Sequence, residues 1–184
     1  MGRHNISNLL GVIGAALKLG LSLETIQNAV LKFEGIKRRQ DILGIFRGVT
    51  LIDDFAHHPT AVSETLLAIR GRYPTQRIWA VFEPRSNTTR RKVFQKEFVS
   101  SFREADQVIV AAPFMPEKIP EADRLEPEAL VASMIQTGLS ARYIPEVESI
   151  VETIIRESKE GDVICLMSNG GFGGIYQKLI QALS

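Results

Sequence analysis

The sequence lacks the features that mark several large classes of protein. Its one cysteine, Cys165, lies in the apolar run DVICLM, which excludes a disulfide framework and is typical of a buried thiol. Its 22 basic and 21 acidic residues leave a net charge of +1, without the basic excess of a nucleic-acid binder. No unbroken apolar run is long enough to span a membrane, and Asn5, Ser7 and Asn8 interrupt the start that a secretory signal would need. These absences favour a cytoplasmic globular protein.

Two common phosphate-binding signatures are also missing. The chain has neither G-x-x-x-x-G-K-[ST] nor G-x-G-x-x-G, so its glycine-rich stretch SNGGFGG, residues 168–174, is a weak signal by spacing alone. Four glycines around Phe172 would let backbone N–H groups approach an anion near a helix start. A plain strand-to-helix turn is an equally good interpretation.

Short β-rich runs alternate with helical patterns from residue 41 onward. The helical spacing is clearest where Val147, Ile150, Val151, Ile154 and Ile155 recur on one face. The predicted strands are 42–46, 49–53, 77–82, 107–112, 141–144 and 162–167, and the helices among them are 60–72, 90–103, 127–137, 147–159 and 174–183. The strands are continuous apolar runs, as expected where helices cover both faces of a sheet. This alternation predicts an α/β fold with a mostly parallel sheet.

Two further helices are predicted before this region. An alanine-rich helix is expected over about 8–18, with Gly20 as its stop, and a second over about 23–33, with Ser22 as its N-cap. The proline-rich stretch 113–128 is predicted to be a surface loop. A length of 184 residues suits one domain, or one domain with an appendage.

Polar clusters follow three of the predicted strands. LIDDFAHHPT brings Asp53, Asp54, His57 and His58 to the end of one strand, FEPRSNTTRR follows another, and SNGGFGG follows the last. Because ligands bind at the carboxyl ends of parallel strands, the three exits should form one site.

Each cluster also has a plain structural interpretation. One of the two aspartates could cap local structure instead of bonding a ribose hydroxyl. Asp53, Asp54, His57 and His58 could hold a metal, although adjacent histidines tend to diverge. Arginines suit carboxylates and phosphates, but a run such as FEPRSNTTRR is more often a solvated helix face. The residues alone leave these alternatives open.

Four motifs, taken in order, resemble the Mur ligases, the ATP-dependent amide-forming enzymes of peptidoglycan metabolism. They are GRHNISN, FEGIKRRQD, LIDDFAHHPT and the closing glycine turn, and together they cover essentially the whole chain. Phe55 stands where the family usually has tyrosine. The loops FEPRSNTTRR and MSNGGFGG most resemble the members that join UDP-N-acetylmuramate to the tripeptide L-Ala-γ-D-Glu-meso-diaminopimelate. The sister ligase that adds L-alanine is the alternative.

The resemblance implies a fold and a division of the chain. Residues 1–40 would be a helical tail of the central ATP-binding domain. Residues 41–184 would form a Rossmann-like C-terminal domain, with a mostly parallel sheet and helices on both faces, that binds the incoming amine substrate. Without the UDP-sugar domain and the phosphate cradle, the chain alone is expected to lack ligase activity. A free-standing nucleotide- or peptide-binding module and a metal-dependent hydrolase are the competing hypotheses.

The resemblance also assigns roles to three groups of residues. The expected nucleotide contacts are Asn5 and Asn8 near the adenine, Arg39 near the phosphates and Asp54 at the ribose. Arg38, next to Arg39, leaves that register open. The expected catalytic residues are His57 and His58, beside the phosphates and the incoming peptide. The expected peptide-binding residues are Arg85, Ser86, Asn87, Ser168, Asn169, Gly170, Gly171 and Phe172.

The implied cofactors are ATP and Mg²⁺, both held mainly by the central domain, with no metal site in this chain. The implied partners are small molecules, namely UDP-N-acetylmuramate, the murein tripeptide and ATP, with no nucleic acid or membrane. ATP would convert the UDP-N-acetylmuramate carboxylate to an acyl phosphate, and the amine of the tripeptide would then displace phosphate. Positioning and charge neutralisation would do most of that work.

Overall fold

The computed structural model describes residues 3–33 and 35–184, with side chains from residue 5 onward. Met1, Gly2 and Glu34, which belong to the predicted helical tail and its motifs, lie outside the described residues. The helices are α1 (Arg3–Lys18), α2 (Leu23–Leu31), α3 (Pro59–Arg72), α4 (Gln95–Ser101), α5 (Pro127–Gln136), α6 (Val147–Glu157) and α7 (Ile175–Leu183). The strands are β1 (Asp41–Phe46), β2 (Val49–Asp54), β3 (Ile78–Phe82), β4 (Gln107–Val110), β5 (Ala141–Tyr143) and β6 (Val163–Met167). Short 3₁₀ helices occupy Lys92–Phe94, Pro116–Lys118, Glu121–Asp123 and Phe172–Gly174.

The six strands form one sheet in the order β1-β2-β6-β3-β4-β5. β1 runs antiparallel to β2, and every other pair of neighbours is parallel. One core lies under α3, α4 and α5, and a second core lies on the opposite face under α6 and α7. The predicted α/β fold, with a mostly parallel sheet covered on both faces, is therefore confirmed.

The continuous apolar strands follow from this double cover. In β3, Ala80 and Phe82 point into one core while Trp79 and Val81 point into the other. All four are fully buried. Each large apolar side chain buried in this way contributes about 1.5–3 kcal/mol, so both faces of the strand hold the sheet in register.

The strand ends that carry the three polar clusters lie at one level of the sheet. Met167, the last residue of β6, is in register with Asp54 of β2 on one side and with Phe82 of β3 on the other. The backbone bonds continue past the strands, since Ser168 N donates to Asp54 O at 3.1 Å and Glu83 N donates to Met167 O at 3.0 Å. The predicted convergence of the three exits is confirmed, with β6 in the centre.

The two helices before the sheet are as predicted, apart from their ends. α1 begins at Arg3, not near residue 8, because its early polar residues are tolerated on an exposed helix. Ser22 caps α2 by accepting a bond from Thr25 N at 3.2 Å. Ile26 is the one buried residue among the described side chains of these helices. No helix within residues 3–33 or 35–184 has both the length and the apolar character needed to cross a membrane.

Two predicted segments differ from the structure. The helix predicted over 90–103 is a 3₁₀ turn followed by α4, because Arg91 is extended and forms a β-bridge with Arg124. The proline-rich stretch 113–128 is not wholly a surface loop, since Ile119 and Leu125 are buried and anchor it.

Candidate ligand site at the carboxyl edge of the sheet

Arg38 ties the segment before β1 to two of the three strand exits. Its Nε donates to Asp53 Oδ2 at 3.1 Å, and its Nη2 donates to the carbonyls of Ser168 at 2.6 Å and Gly170 at 2.9 Å. The backbone of Arg38 lies at a φ of 61°, a left-handed conformation that a non-glycine residue keeps only where its surroundings fix it. The Arg38 guanidinium is therefore committed to contacts within the protein.

Arg39 differs from its neighbour because its side chain is exposed. Its Cζ lies 5.0 Å from the centre of the Phe55 ring. Together with Lys37 and Arg72 it also lines a cleft of about 530 Å³, which gives that cleft a positive charge. The Arg38 side chain points into the protein and the Arg39 side chain points outward, so Arg39 is the better candidate of the two to face the nucleotide phosphates. That role stays a prediction.

The Asp54 carboxylate joins the end of β2 to the segments on either side of it. Its Oδ1 accepts bonds from Ala56 N at 2.7 Å and Thr65 Oγ1 at 3.3 Å, and its Oδ2 accepts from Gln40 N at 2.8 Å. Burial raises the pKa of this carboxyl, and the same donors oppose the rise. Asp54 is 2% exposed and caps local structure, so the predicted contact with ribose stays a prediction.

Asp53 is also buried, but its partners differ from those of Asp54. Its Oδ2 accepts the bond from Arg38, and its Oδ1 has no hydrogen-bond partner among the residues described. The hydroxyl of Tyr176 lies close by and accepts a long bond of 3.4 Å from Arg38 Nη2. Burial and the nearby charge of Asp53 raise the pKa of Tyr176. No pattern in the sequence predicts that Tyr176 lies in this cluster.

The neutral rings of the adjacent histidines carry their protons on opposite nitrogens. His57 Nδ1 is 2.9 Å from Phe55 O, and because a carbonyl only accepts, Nδ1 must carry the proton and leave Nε2 as an acceptor in the neutral ring. His58 Nδ1 accepts the Thr60 backbone bond at 3.3 Å and caps α3, so its neutral ring carries the proton on Nε2. At this edge His57 offers an acceptor and His58 offers a donor.

The side chains at the edge do not fit a magnesium ion, whose ligands are oxygen atoms free to face it. Both oxygens of Asp54 and of Glu83 already accept bonds from neighbouring protein groups, and the unpartnered Asp53 Oδ1 belongs to a single buried carboxylate. Within the described chain, no group of three or more His, Cys, Asp or Glu side chains is placed to hold a metal.

At the exit of β3, Arg85 is held on both faces of its guanidinium. Its Cζ lies 3.5 Å from the centre of the Phe114 ring. On the other face lies Gly170, where an added Cβ would fall 1.9 Å from Arg85 Nε, so only glycine allows this approach. Arg85 Nη1 also donates to Glu83 Oε1 at 3.4 Å, and one quarter of the Arg85 side chain remains exposed.

Glu83 joins the exit of β3 to that of β6. It is 6% exposed, and its Oε2 accepts a short bond from Ser168 Oγ. Ser168 Oγ in turn accepts from Gly170 N at 2.9 Å. Sequence reasoning missed Glu83, although its position directly after a predicted strand was available as a signal. It also missed Phe114, because the proline-rich stretch gave no sign of packing at this edge.

The other predicted peptide-binding residues fall into three settings. Ser86 builds a turn, since its Oγ accepts from Thr89 N at 3.1 Å, and Asn87 at the tip of that turn is exposed. Asn169 is half-buried with its Oδ1 unpartnered within the described structure, and Gly171 is exposed. The ring of Phe172 lies in the core under α7, so its predicted role can apply only to its backbone.

Asn5 and Asn8, the predicted adenine contacts, lie one turn apart on α1. Asn5 is half-buried and Asn8 is exposed. The hydrogen bonds that join the three strand exits include none from α1 among the residues described. The structure thus unites the β2, β3 and β6 loops but does not bring these two asparagines into the same cluster.

A Rossmann-like domain with polar loops at the carboxyl edge of its parallel strands belongs to the class that binds nucleotides or other small polar ligands at that edge. Residues 38–170 match the family model described as Mur ligase, glutamate ligase domain. The chain is a member of the Mur ligase family, as the motifs at its strand exits implied. The ligases of this family use ATP and act on peptidoglycan.

The chain is similar to three known members of the family. The UDP-N-acetylmuramate–L-alanyl-γ-D-glutamyl-meso-2,6-diaminoheptandioate ligase of Escherichia coli is 38% identical over 100% of this chain and 38% of its own length. A UDP-N-acetylmuramate–L-alanine ligase of Acetivibrio thermocellus is 36% identical over 96% of this chain and 36% of its own. The crystal structure of a murein peptide ligase from Psychrobacter arcticus is 36% identical with a TM-score of 0.78, over 100% of this chain and 37% of that one. The chain therefore spans less than two fifths of the length of each of these relatives.

Proposed function

We propose that this chain is the C-terminal part of an ATP-dependent ligase that joins UDP-N-acetylmuramate to the tripeptide L-Ala-γ-D-Glu-meso-diaminopimelate. The observation that carries the proposal is Arg85, a guanidinium fixed at the strand edge with a quarter of its side chain exposed. Such a group binds a carboxylate, and the tripeptide presents several carboxylates where L-alanine presents one. The similarity to the Escherichia coli tripeptide ligase supports the same choice.

Residues 1–40 would belong to the ATP-binding domain of that ligase. α1, α2 and the turn between them expose large apolar side chains, among them Leu10, Leu19 and Leu31, of which Leu19 is 82% exposed. The sheet domain closes both of its cores without them. An apolar surface of this kind is expected to pack against the remainder of an ATP-binding domain.

The nucleotide side of the site would centre on Arg39. Asp54 supports it indirectly, because the carboxylate holds Gln40 N, the neighbouring backbone group, at 2.8 Å. Asp54 would thus fix the direction of the segment that presents Arg39 to the phosphates. Asn5 and Asn8 would reach the adenine from α1.

The peptide side of the site would lie between the exits of β3 and β6. Arg85 would bind a carboxylate of the tripeptide, and exposed groups such as Asn87 and Gly171 would border it. ATP, when bound, supplies the phosphoryl group that activates the sugar carboxylate. The His57 Nε2 acceptor is suited to take the proton of the attacking amine, while the His58 Nε2–H is suited to donate to a phosphate oxygen.

The test is phosphate release by the full-length ligase that contains this chain, with the tripeptide or L-alanine as acceptor. We expect the tripeptide to support turnover. Arg85→Ala should raise the KM for the tripeptide by roughly 10- to 100-fold, the value of a lost charge-assisted hydrogen bond, and leave the KM for ATP unchanged.

Arg103→Ala is the matched control, because Arg103 is an exposed arginine whose Nε donates to Ser100 O on α4. Turnover with L-alanine but not with the tripeptide would identify the sister ligase instead. Turnover with neither acceptor would favour a module that binds nucleotide or peptide without catalysis.

A further inference from the structure

The Arg85 guanidinium lies between an aromatic ring and a stretch of backbone. The Phe114 ring covers one face, with its centre 3.5 Å from Arg85 Cζ. The backbone of Gly170 covers the other, at a distance that would place an added Cβ within 2.4 Å of three Arg85 atoms. A planar cation between two such surfaces can neither tilt nor swing out without losing both contacts.

Glu83 fixes the rotation of the guanidinium within that plane. Its Oε1 accepts from Arg85 Nη1 at 3.4 Å, so one edge of the guanidinium faces the protein. Glu83 is itself buried and is held at Oε2 by the Ser168 hydroxyl. The plane and the edge of the Arg85 guanidinium are both set in the protein without a ligand.

Phe114 is held by its backbone, independently of its ring. Its N–H donates to Pro84 O at 2.9 Å, and its carbonyl accepts from Arg90 Nη1 at 3.2 Å. These bonds fasten the proline-rich stretch to the loop that carries Arg85. A substitution at Phe114 can therefore remove the ring while leaving the backbone in place.

We propose that Phe114 is a positioning residue that fixes the plane of Arg85, so that its free edge is presented to a carboxylate of the incoming peptide. The inference deepens the proposed function and rests on it for the identity of the ligand. A guanidinium held in one plane meets a carboxylate with two parallel N–H···O bonds and loses little side-chain freedom on binding. Position 114 therefore requires an aromatic ring, and an aliphatic side chain of similar volume should not replace it.

The test combines a measurement on the chain with one on the full-length ligase. Nitrogen-15 relaxation of the Arg85 Nε–H, assigned by its loss in Arg85→Lys, should give an order parameter of about 0.85 in the unaltered chain. Phe114→Leu keeps the apolar volume without the ring and should lower it below about 0.6. In the ligase the same change should raise the KM for the tripeptide by about fivefold to tenfold, with the KM for ATP unchanged.

Two variants complete the design. Phe114→Tyr keeps the ring, so the Arg85 order parameter and the KM for the tripeptide should both equal those of the unaltered protein. Tyr73→Leu removes a different ring, 5.5 Å from Arg72 Cζ at the far end of α3, and should leave Arg85 unaffected.

An order parameter that stays near the unaltered value in Phe114→Leu overturns the inference. So does one that falls equally in Phe114→Tyr. A tripeptide that fails to support turnover, while Phe114→Leu still frees Arg85, rejects the proposed function but upholds the positioning role.

Discussion

Replacing Arg38 by alanine should cost far more folding free energy than replacing Arg39. Arg38 is the partner of Asp53, whose side chain is 9% exposed and whose other oxygen has no partner in the described chain. Without Arg38, the buried Asp53 carboxylate has no positively charged partner, and leaving it unpaired costs about 3–5 kcal/mol. The Arg38 side chain is 34% exposed, so solvent would screen part of the loss and the expected cost is about 3 kcal/mol. Stabilities of single domains are only about 5–15 kcal/mol.

Arg39 is the matched control on the next residue. Its contact with the Phe55 ring at 5.0 Å is exposed and worth less than about 1 kcal/mol. Urea unfolding of the chain, followed by circular dichroism at pH 7, measures both effects. With a slope of about 2 kcal/mol per molar urea, Arg38→Ala should lower the midpoint by about 1.5 M and Arg39→Ala by less than about 0.5 M.

Equal midpoints for the two variants would refute this assignment of the inward and outward arginines. A larger shift for Arg39→Ala would refute it more strongly, because Arg39, and not Arg38, would then be the arginine that stabilises the fold. In the full-length ligase, the effect on turnover should follow the reverse order, with Arg39→Ala having the larger effect. Arg39→Ala should remove most ATP-dependent turnover while its unfolding curve stays close to that of the parent.

Three further predictions test the structure of the sheet domain. Asp162→Ala should cost about 3 kcal/mol, since it leaves the buried indole N–H of Trp79 without its acceptor and removes the carboxylate that pairs with Arg77. Burial acts to raise the pKa of Asp162, but those donors hold it below its ordinary value, so its contribution should be present above roughly pH 4 and lost as the pH falls through the lowered pKa. His58→Ala should cost about 1 kcal/mol through the lost cap of α3, and His58→Asn should recover it. Burial raises the pKa of the Cys165 thiol, so this thiol should react with a disulfide reagent only at the rate of unfolding.

Two of these predictions have a simple check. Glu148→Ala removes an exposed ion pair with Lys178 and should change the midpoint in urea very little, unlike Asp162→Ala. Equal losses in the two would contradict the assignment of Asp162 as a buried anchor. Rapid labelling of Cys165 in the folded chain would contradict its full burial.

The fold was predictable because its helices and strands carry strong local patterns. The continuous apolar strands and the spacing of Val147, Ile150 and Ile154 required nothing beyond their own segments. The error over 90–103 shows where local pattern fails. Phe94, Phe98 and Phe102 have helical spacing, but the bridge between Arg91 and Arg124 holds the start of that segment extended. A pairing across more than thirty residues cannot be seen in either segment alone.

The site was predictable as a place but not as a set of contacts. The rule that ligands bind at the carboxyl ends of parallel strands was enough to unite the three exits. The division of labour between Arg38 and Arg39 depends on the carbonyl of Ser168, which lies 130 positions away from Arg38. Glu83 was overlooked for the same reason, since its meaning comes from the Ser168 hydroxyl 85 positions later.

These long-range bonds form one continuous chain across the edge of the sheet. Arg38 links Asp53 at the end of β2 to Ser168 at the end of β6, Ser168 links to Glu83 at the end of β3, and Glu83 meets Arg85. Each member is both a partner for its neighbour and part of the wall of the site. Apart from Asp53 Oδ1, which has no partner among the residues described, the buried side-chain atoms of this network are paired, and a network paired in this way is rigid. The loss of any member leaves its buried neighbour with the full cost of desolvation. The side of the site next to Arg39 and the side at Arg85 are therefore held by the same bonds. A substitution that makes one side more mobile should also make the other side more mobile.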